Sequence, residues 1–308
     1  MHKTRESLDF LNLVDAEVAN CEDEWPSWVP CWSVQITAFT SAISSYNMRR
    51  SFDQDWQNEI YRCGCKASGD QSLNIEERMP TSILRLLGYN PRVTLQCLPI
   101  VPKDFVPPEK LFFFEENIAQ LLCTMLGECT QHFRQLSVVE LRIAFFAVTT
   151  ICPPDIGQED LDEALETYFT WLNQIDLSYK SSTCSPHRVI TALACNMSVA
   201  TLMPMPDRSD GHGKIRSDSK VYDYHFRLRC LLGRRLFITS SGLLGIGPAS
   251  MTDEDSIVIL FGGSVPYVLR PTEGEQWRFI DECYIHGIMK GEALEGLGGG
   301  EHEWFELV

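Results

Sequence analysis

Apolar residues along this chain follow two periods, and the change falls at Gly233. In "EENIAQLLCTMLGEC", Ile118, Leu121, Leu122, Met125, Leu126 and Cys129 recur every three or four positions, which predicts a one-sided helix. "SVVE" at 137–140 is a capping box, in which the Ser137 oxygen caps the Glu140 amide and Glu140 reaches back. "LRIAFFAVTTI" follows as a largely buried helix, stopped before Pro153-Pro154. A third helix is predicted over 159–175, with Leu161, Ala164, Leu165, Tyr168, Leu172 and Ile175 on one face and Glu159-Asp160 in its first turn. A fourth starts at Ser185-Pro186, an N-cap followed by proline at the first helical position. "VYDYHFRLRCLLG" reads as a helix ending at Gly233, with a strand as the alternative.

Beyond Gly233 the runs shorten and become rich in β-branched and aromatic residues: "RRLFITS", "SIVILFG", "VPYVLRP" and "WRFIDECYIHGI". Gly-rich or acidic turns separate them, so four or five short strands are expected in a small curled antiparallel sheet or barrel. In the last run Phe279, Asp281, Cys283 and Ile285 alternate with Ile280, Glu282, Tyr284 and His286, the pattern of a half-buried strand with Asp281 out of place.

The first hundred residues are less regular. Leu8, Leu11, Val14 and Val18 suit a short helix or a partly buried segment. "EWPSWVPCWS" at 24–33 holds three tryptophans and two prolines, so it is extended and packs aromatic surface, with a ligand-binding aromatic box as the lesser reading. "ERMPTSILRLLGYNP" gives only short apolar pieces, "VTLQCLPIV" at 93–101 a strand, and "PIVPKDFVPPEK" a linker or extended loop. The whole predicts an α+β fold: a mostly helical N-terminal and middle part, then a small antiparallel β-sheet or barrel-like C-terminal domain. Its expected parts are an irregular aromatic segment with short helices (1–110), a helical bundle region (111–203), a flexible polar loop (204–220), a small β-domain (221–296) and a Gly-rich acidic tail (297–308).

Composition narrows the function. The formal charge is −16, and the acidic excess lies on both sides of residue 220, so no broad basic face awaits a nucleic acid. Arg227, Arg229, Arg234 and Arg235 form one local basic cluster, able to hold an anion but more often a solvated face or a helix C-terminal complement. No apolar run approaches a membrane span and no secretion signal opens the sequence, so no membrane association is expected and a cytoplasmic location is. The 12 cysteines are then expected to be reduced thiols, several of them in apolar stretches.

Candidate chemistry is thin. "GLLGIG" at 242–247 lacks the helix a dinucleotide fingerprint opens, and reads as a hairpin. "SSG" and "GGS" are not nucleophile elbows. Cys63-x-Cys65 and Cys283-x2-His286 are each half a zinc site, so no metal and no cofactor is expected. His225, Arg270, Tyr284, His286 and Glu292 are the side chains near the β-domain that a functional surface would use, with none assigned a catalytic role.

Residues 233–271 and 279–294 together resemble the C-terminal signature of fungal heterokaryon-incompatibility (HET) domain proteins. The residues that carry the likeness are Gly242, Gly245, Gly247, Pro248, Asp255, Pro266, Leu269, Arg270, Tyr284, Gly287, Met289, Gly291 and Glu292. "LDFLNLV…WPSWVPCWS" resembles the segment that follows the HET core, with Cys31 where the family usually has Asp; Glu254 and Glu282 stand where it usually has Gly. The HET core itself lies upstream of the tryptophan-rich part in the family, and only about two dozen residues precede that part here. The resemblance therefore implies a downstream, non-enzymatic interaction or regulatory region in nonself recognition and cell-death signalling, acting through protein partners or self-association. Alternatives are a small-molecule-binding protein or enzyme with a pocket at the helical/β junction, a structural zinc protein, or a relic without an independent role.

Overall fold

In the computed structural model, residues 8, 11, 26–29, 66–76, 83–100, 125, 127, 129, 137–151, 159, 161–166, 168, 169, 231, 233–297 and 301–308 are described. Chain contacts divide the protein into two units. One comprises Met1–Pro102, Ala147–Ile156 and Cys230–Val308, the other Lys103–Phe146 and Gly157–Arg229.

Among the described residues the first unit holds ten strands: β1 (Ile75–Glu76), β2 (Leu84–Tyr89), β3 (Leu95–Ile100), β4 (Arg234–Thr239), β5 (Leu244–Pro248), β6 (Ser256–Leu260), β7 (Tyr267–Pro271), β8 (Trp277–Glu282), β9 (Tyr284–Ile285) and β10 (Glu303–Leu307). One sheet runs β1-β2-β10-β8-β7-β6, and β2 also pairs with β6, which closes a five-stranded barrel with β1 on its margin. The other runs β3-β4-β5-β9. Closure satisfies backbone groups that a small open sheet leaves bare at its edges.

The two sheets share one core. Leu95, Phe237, Met251, Ile257, Val268, Ile280, Cys283, Ile285 and Ile288 form a single buried cluster drawn from both. This explains why β6 reads as a nearly continuous apolar run, since it is covered on both faces; the later part of β8 is equally buried although it carries Asp281 and Glu282. The hairpin expected at 242–247 is present as β4–β5, paired from Arg234↔Pro248 to Ile238↔Leu244. Gly245 lies on β5 against the Phe237 ring, where any β-carbon would collide with the ring carbons.

The second unit is helical where it is described. Residues 125, 127 and 129 are helical, as are 159, 161–166, 168 and 169. Helix α1 (Val138–Thr150), whose residues from Ala147 on fall in the first unit, begins at the capping box: the Ser137 amide donates to Glu140 Oε2 at 2.7 Å and the Glu140 amide donates to Ser137 Oγ at 3.2 Å. Those bonds hold the Glu140 carboxyl below its ordinary range. Tyr168 stacks edge-on against Phe146 and Phe169, both at 5.2 Å, and the Arg142 guanidinium lies 4.5 Å over the Phe169 ring. The helix start at 185–186, the loop at 204–220 and most of 221–233 lie outside the described residues.

The expected fold class needs correction. The described residues are mostly β, not a helical body with a β appendage, and the sheets are not confined to the C-terminal region. "LRLLGY", expected only as short apolar pieces, is β2, a wall of the barrel. "EWFEL", expected as a tail, is β10, inserted between β2 and β8. The sheet is also not purely antiparallel, because β10 runs parallel to β8. Both strands pair with segments distant in sequence, and a six-residue run carries little local signal of such a partner.

Candidate functional site

The polar residues of the β-unit fall into three groups. The first sits where β5 turns into β6. Asp255 has a fully buried carboxylate, which accepts from the Thr252 amide (2.8 Å), from Arg270 Nε (2.7 Å) and from an Arg270 terminal nitrogen (3.0 Å). The same guanidinium donates to the Ser250 carbonyl at 2.8 Å. This two-pronged clamp ties the 250–255 turn to β7, and its hydrogen bonds raise the already high Arg270 pKa. Arg235 completes the turn from the other sheet, donating to the carbonyls of Leu98 (3.0 Å) and Met251 (2.6 Å). Asp253 accepts from the Cys97 amide at 2.7 Å on edge strand β3. Desolvation, with that carboxylate as a second cause, pushes the Cys97 thiol up to about 12.

The second group crosses between the sheets. Arg234 opens β4 and is 3% exposed, yet it was expected in a solvated or anion-holding cluster. Its guanidinium lies 3.6 Å from Asp281 and 3.6 Å from Glu282, and donates to the Glu282 carbonyl at 3.3 Å. The Glu282 amide donates to Asp281 Oδ1 at 2.8 Å. The run expected as a half-buried strand instead breaks at Cys283, leaves the barrel and enters the second sheet as β9. It is buried on both faces from Phe279 to Ile285. The Cys283 amide and thiol both donate to the Pro266 carbonyl (2.9 and 3.5 Å), and burial raises its pKa well above the ordinary thiol value.

The third group follows β9. His286 is half-buried, its amide donates to the Leu244 carbonyl at 3.1 Å, and desolvation lowers its pKa against the opposing pull of Glu292. Glu292 accepts from the Lys290 amide at 2.6 Å. Met289 receives the Ile285 amide on its sulfur (3.4 Å), and its carbonyl accepts from the Lys66 amide (2.7 Å).

Of the residues singled out from sequence, His286 and Glu292 are therefore brought within electrostatic reach of each other. Arg270 is engaged with Asp255, Tyr284 is buried in β9, and His225 lies outside the described residues. Gly242, Gly245, Gly247 and Pro248 shape the β4–β5 hairpin, Leu269 lies in β7, and Gly287 and Gly291 flank the turn after β9 with positive φ. Cys63 and Cys65 are also outside the described residues, and among the described residues no group of three or more His, Cys, Asp or Glu is arranged to hold a metal ion. No helix among the described residues is long and apolar enough to cross a membrane.

Sequence reasoning missed Ser27 and Arg234. Ser27 is buried in the 26–29 turn, where the Val29 amide bonds to the Pro26 carbonyl at 3.0 Å. Its hydroxyl accepts from the Phe279 amide at 2.9 Å and donates to the Val308 carbonyl, and its amide donates to that carbonyl at 2.9 Å. The prolines and tryptophans around Ser27 predict a packed extended segment, whereas 26–29 is a turn, and they give no sign of its partner. Asp281 interrupting an apolar face was the one local sign of the buried pair.

The β-unit thus holds a closed barrel whose β5–β6 turn is clamped by Asp255 and Arg270. Residues 212–303 match the Het-6 beta-barrel domain. Over 88 residues the chain is 36% identical to heterokaryon incompatibility protein 6, OR allele, of Neurospora crassa, a span of 28% of this chain and 12% of that protein. The matched part is thus similar to a Het-6 beta-barrel domain and to a stretch of a heterokaryon incompatibility protein, and the chain covers only a small share of that relative's length. No solved structure matches the chain significantly.

Proposed function

We propose that this chain is an interaction and regulatory region of the heterokaryon-incompatibility type, working in nonself recognition and cell-death signalling through protein contacts rather than catalysis. The observation that carries the reading is the likeness of residues 212–303 to the Het-6 beta-barrel domain and to the Neurospora protein. The geometry supports it: the charged groups an active site would use are engaged in holding the fold. Asp255 and Arg270 clamp a turn, and Arg234 faces Asp281 and Glu282 inside the core. A region of this kind presents a shaped surface, and its specificity resides in what binds there.

The test is a fungal pairing assay. Two strains differing only in this chain are fused, while proximity labelling maps its neighbours in the fused cells. The expected result is altered viability of the fusion, together with protein neighbours absent from a tag-only control. Unchanged viability with a labelled set identical to the control would overturn the reading.

A further inference from the structure

The barrel is held by seams of unequal strength. β10 pairs with β2 over five positions, from Glu303↔Gly88 to Leu307↔Leu84, and β7 pairs with β8 over five. β2 meets β6 at only Gly88↔Leu260 and Tyr89↔Ile259, with one further bond from the Phe261 amide to the Leu87 carbonyl at 2.9 Å. β10 meets β8 at the single pair Leu307↔Trp277, extended by the Val308 amide on the Trp277 carbonyl at 2.9 Å. Past that pair the strands no longer bond directly, and the Ser27 hydroxyl bridges them, from the Phe279 amide to the Val308 carbonyl. Within the five-stranded barrel, β6-β7-β8 form a three-stranded sheet whose two edges are covered by β2 and β10, strands from outside the main β-run of the sequence.

β10 itself has the form of a strand made to fit a slot. Phe305 and Leu307 are buried and alternate with Glu306 and the 40%-exposed Trp304. Phe305 stacks 5.7 Å from Trp277, and Trp304 lies 4.9 Å under the Arg85 guanidinium. The sequence leading into β10 is Gly296-Leu297-Gly298-Gly299-Gly300. Of these, Gly296 turns the chain with φ +78, in the left-handed region that glycine adopts without strain, and has open space around it.

We propose that β10 is an exchangeable strand, and that the slot between β2 and β8 takes β10 of a second copy of this chain. The exchanged strand would remake each contact named above, including the Ser27 bridge. Association by this route therefore needs no new surface, which is what makes strand exchange a low-cost path to a dimer. The occupant is a copy of this chain because the slot already reads its pattern: backbone pairing along β2, and pockets for Phe305 and Leu307. This deepens the interaction reading and rests on it, naming the partner and the surface.

Leu87 and Trp304 face each other across the antiparallel β2–β10 pair, at a Cα separation suited to a disulfide. Two differently tagged full-length chains, one Leu87→Cys and one Trp304→Cys, are co-expressed, purified and mildly oxidised. Peptide mapping then looks for a link between positions 87 and 304 that joins the two tags. The expected result is that link, in an amount rising with concentration at expression. The double variant Leu87→Cys/Trp304→Cys in one chain is expected to form the link in every species. If the double variant links and the co-expressed single variants do not, exchange is overturned; if the double variant does not link, the β2–β10 pairing itself is overturned. The unmodified chain gives a check without substitutions: light scattering that finds monomer alone at all attainable concentrations also overturns it. A monomer that still labels specific neighbours in fused cells removes the exchange but leaves the interaction reading standing. A strand-exchanged dimer without effect or neighbours in cells does the reverse.

Discussion

The amide of Phe279 donates to the hydroxyl of Ser27, 252 residues earlier, at 2.9 Å. The bond lies at the point where β8 and β10 part, so one small side chain stands in for the missing rungs of a ladder. Ser27→Ala leaves a buried N–H without its acceptor and frees the Val308 carbonyl of one donor. A loss of about 1–3 kcal/mol is expected, read as a lower urea midpoint with an unchanged slope. Ser27→Thr keeps the hydroxyl and should recover most of it. An alanine variant within experimental error of wild type would show that the seam does not need the bridge.

Asp255 and Arg270 behave as one unit. Removing the guanidinium leaves a carboxylate with no exposed surface, held only by the Thr252 amide. Arg270→Ala should cost roughly 3 kcal/mol, the low end for breaking a buried pair because the guanidinium is partly in solvent. Arg270→Lys keeps the charge but loses the two-pronged geometry, and should fall between. The double variant Asp255→Ala/Arg270→Ala should cost clearly less than the sum of the two single alanine changes. Strict additivity in thermal or urea unfolding would refute the coupling.

These two sites differ in how visible they were. Asp255, in the turn just before β6, and Arg270, in β7, belong to one short β-run, and the strands, turns and hairpin there follow from period and glycine placement alone. Likewise, Ser137 and Glu140 are three residues apart, and the capping box is a local arrangement. Ser27 and Phe279 belong to distant segments, as do β2 and β10, and nothing in a window of ten residues shows which edge a strand will cover. Arg234 was hidden for another reason. An arginine next to others on a sequence looks solvated, and only the carboxylates of Asp281 and Glu282 arriving from another sheet make its burial possible. The helical periodicity of the middle segment was read correctly where it can be compared, at Met125, Cys129, Leu165 and Tyr168. Its weight in the fold class was overstated, because short strands in "LRLLGY" and "EWFEL" carry weaker local patterns than helices do.

Two glycines provide a contrast. A β-carbon on Gly88 would meet the Ile259 carbonyl oxygen at 2.6 Å and the Phe305 ring at 3.2 Å, at the point where β2 closes onto β6. The backbone oxygen cannot step aside, so Gly88→Ala should destabilise by about 1–3 kcal/mol through overpacking. Gly127 is helical with nothing within 4 Å of that position. Gly127→Ala should stabilise by about 0.5–1 kcal/mol, since alanine loses less freedom on entering a helix. Thermal melts of the two variants should therefore move in opposite directions, and a shared direction would contradict the packing at the β2–β6 seam.

His286 gives the unit a pH dependence with a defined sign. Burial disfavours its charged form, so its pKa in the folded protein lies below the ordinary value of 6.5, although Glu292 pulls the other way. Between those two values the unfolded chain holds more of this proton than the folded one, so stability rises with pH there. The contribution is complete above the ordinary histidine value and is lost as pH falls through the window beneath it. His286→Gln removes the titration while keeping a polar side chain of similar reach. The difference in melting temperature between wild type and this variant should therefore be constant above pH 7. It should shift against wild type as pH falls from about 6.5 toward 5, and Glu292→Gln should enlarge that shift by removing the group that favours the protonated ring. A difference independent of pH across that interval would mean that His286 is not desolvated by its surroundings. A shift of the opposite sign would mean that the Glu292 charge outweighs burial.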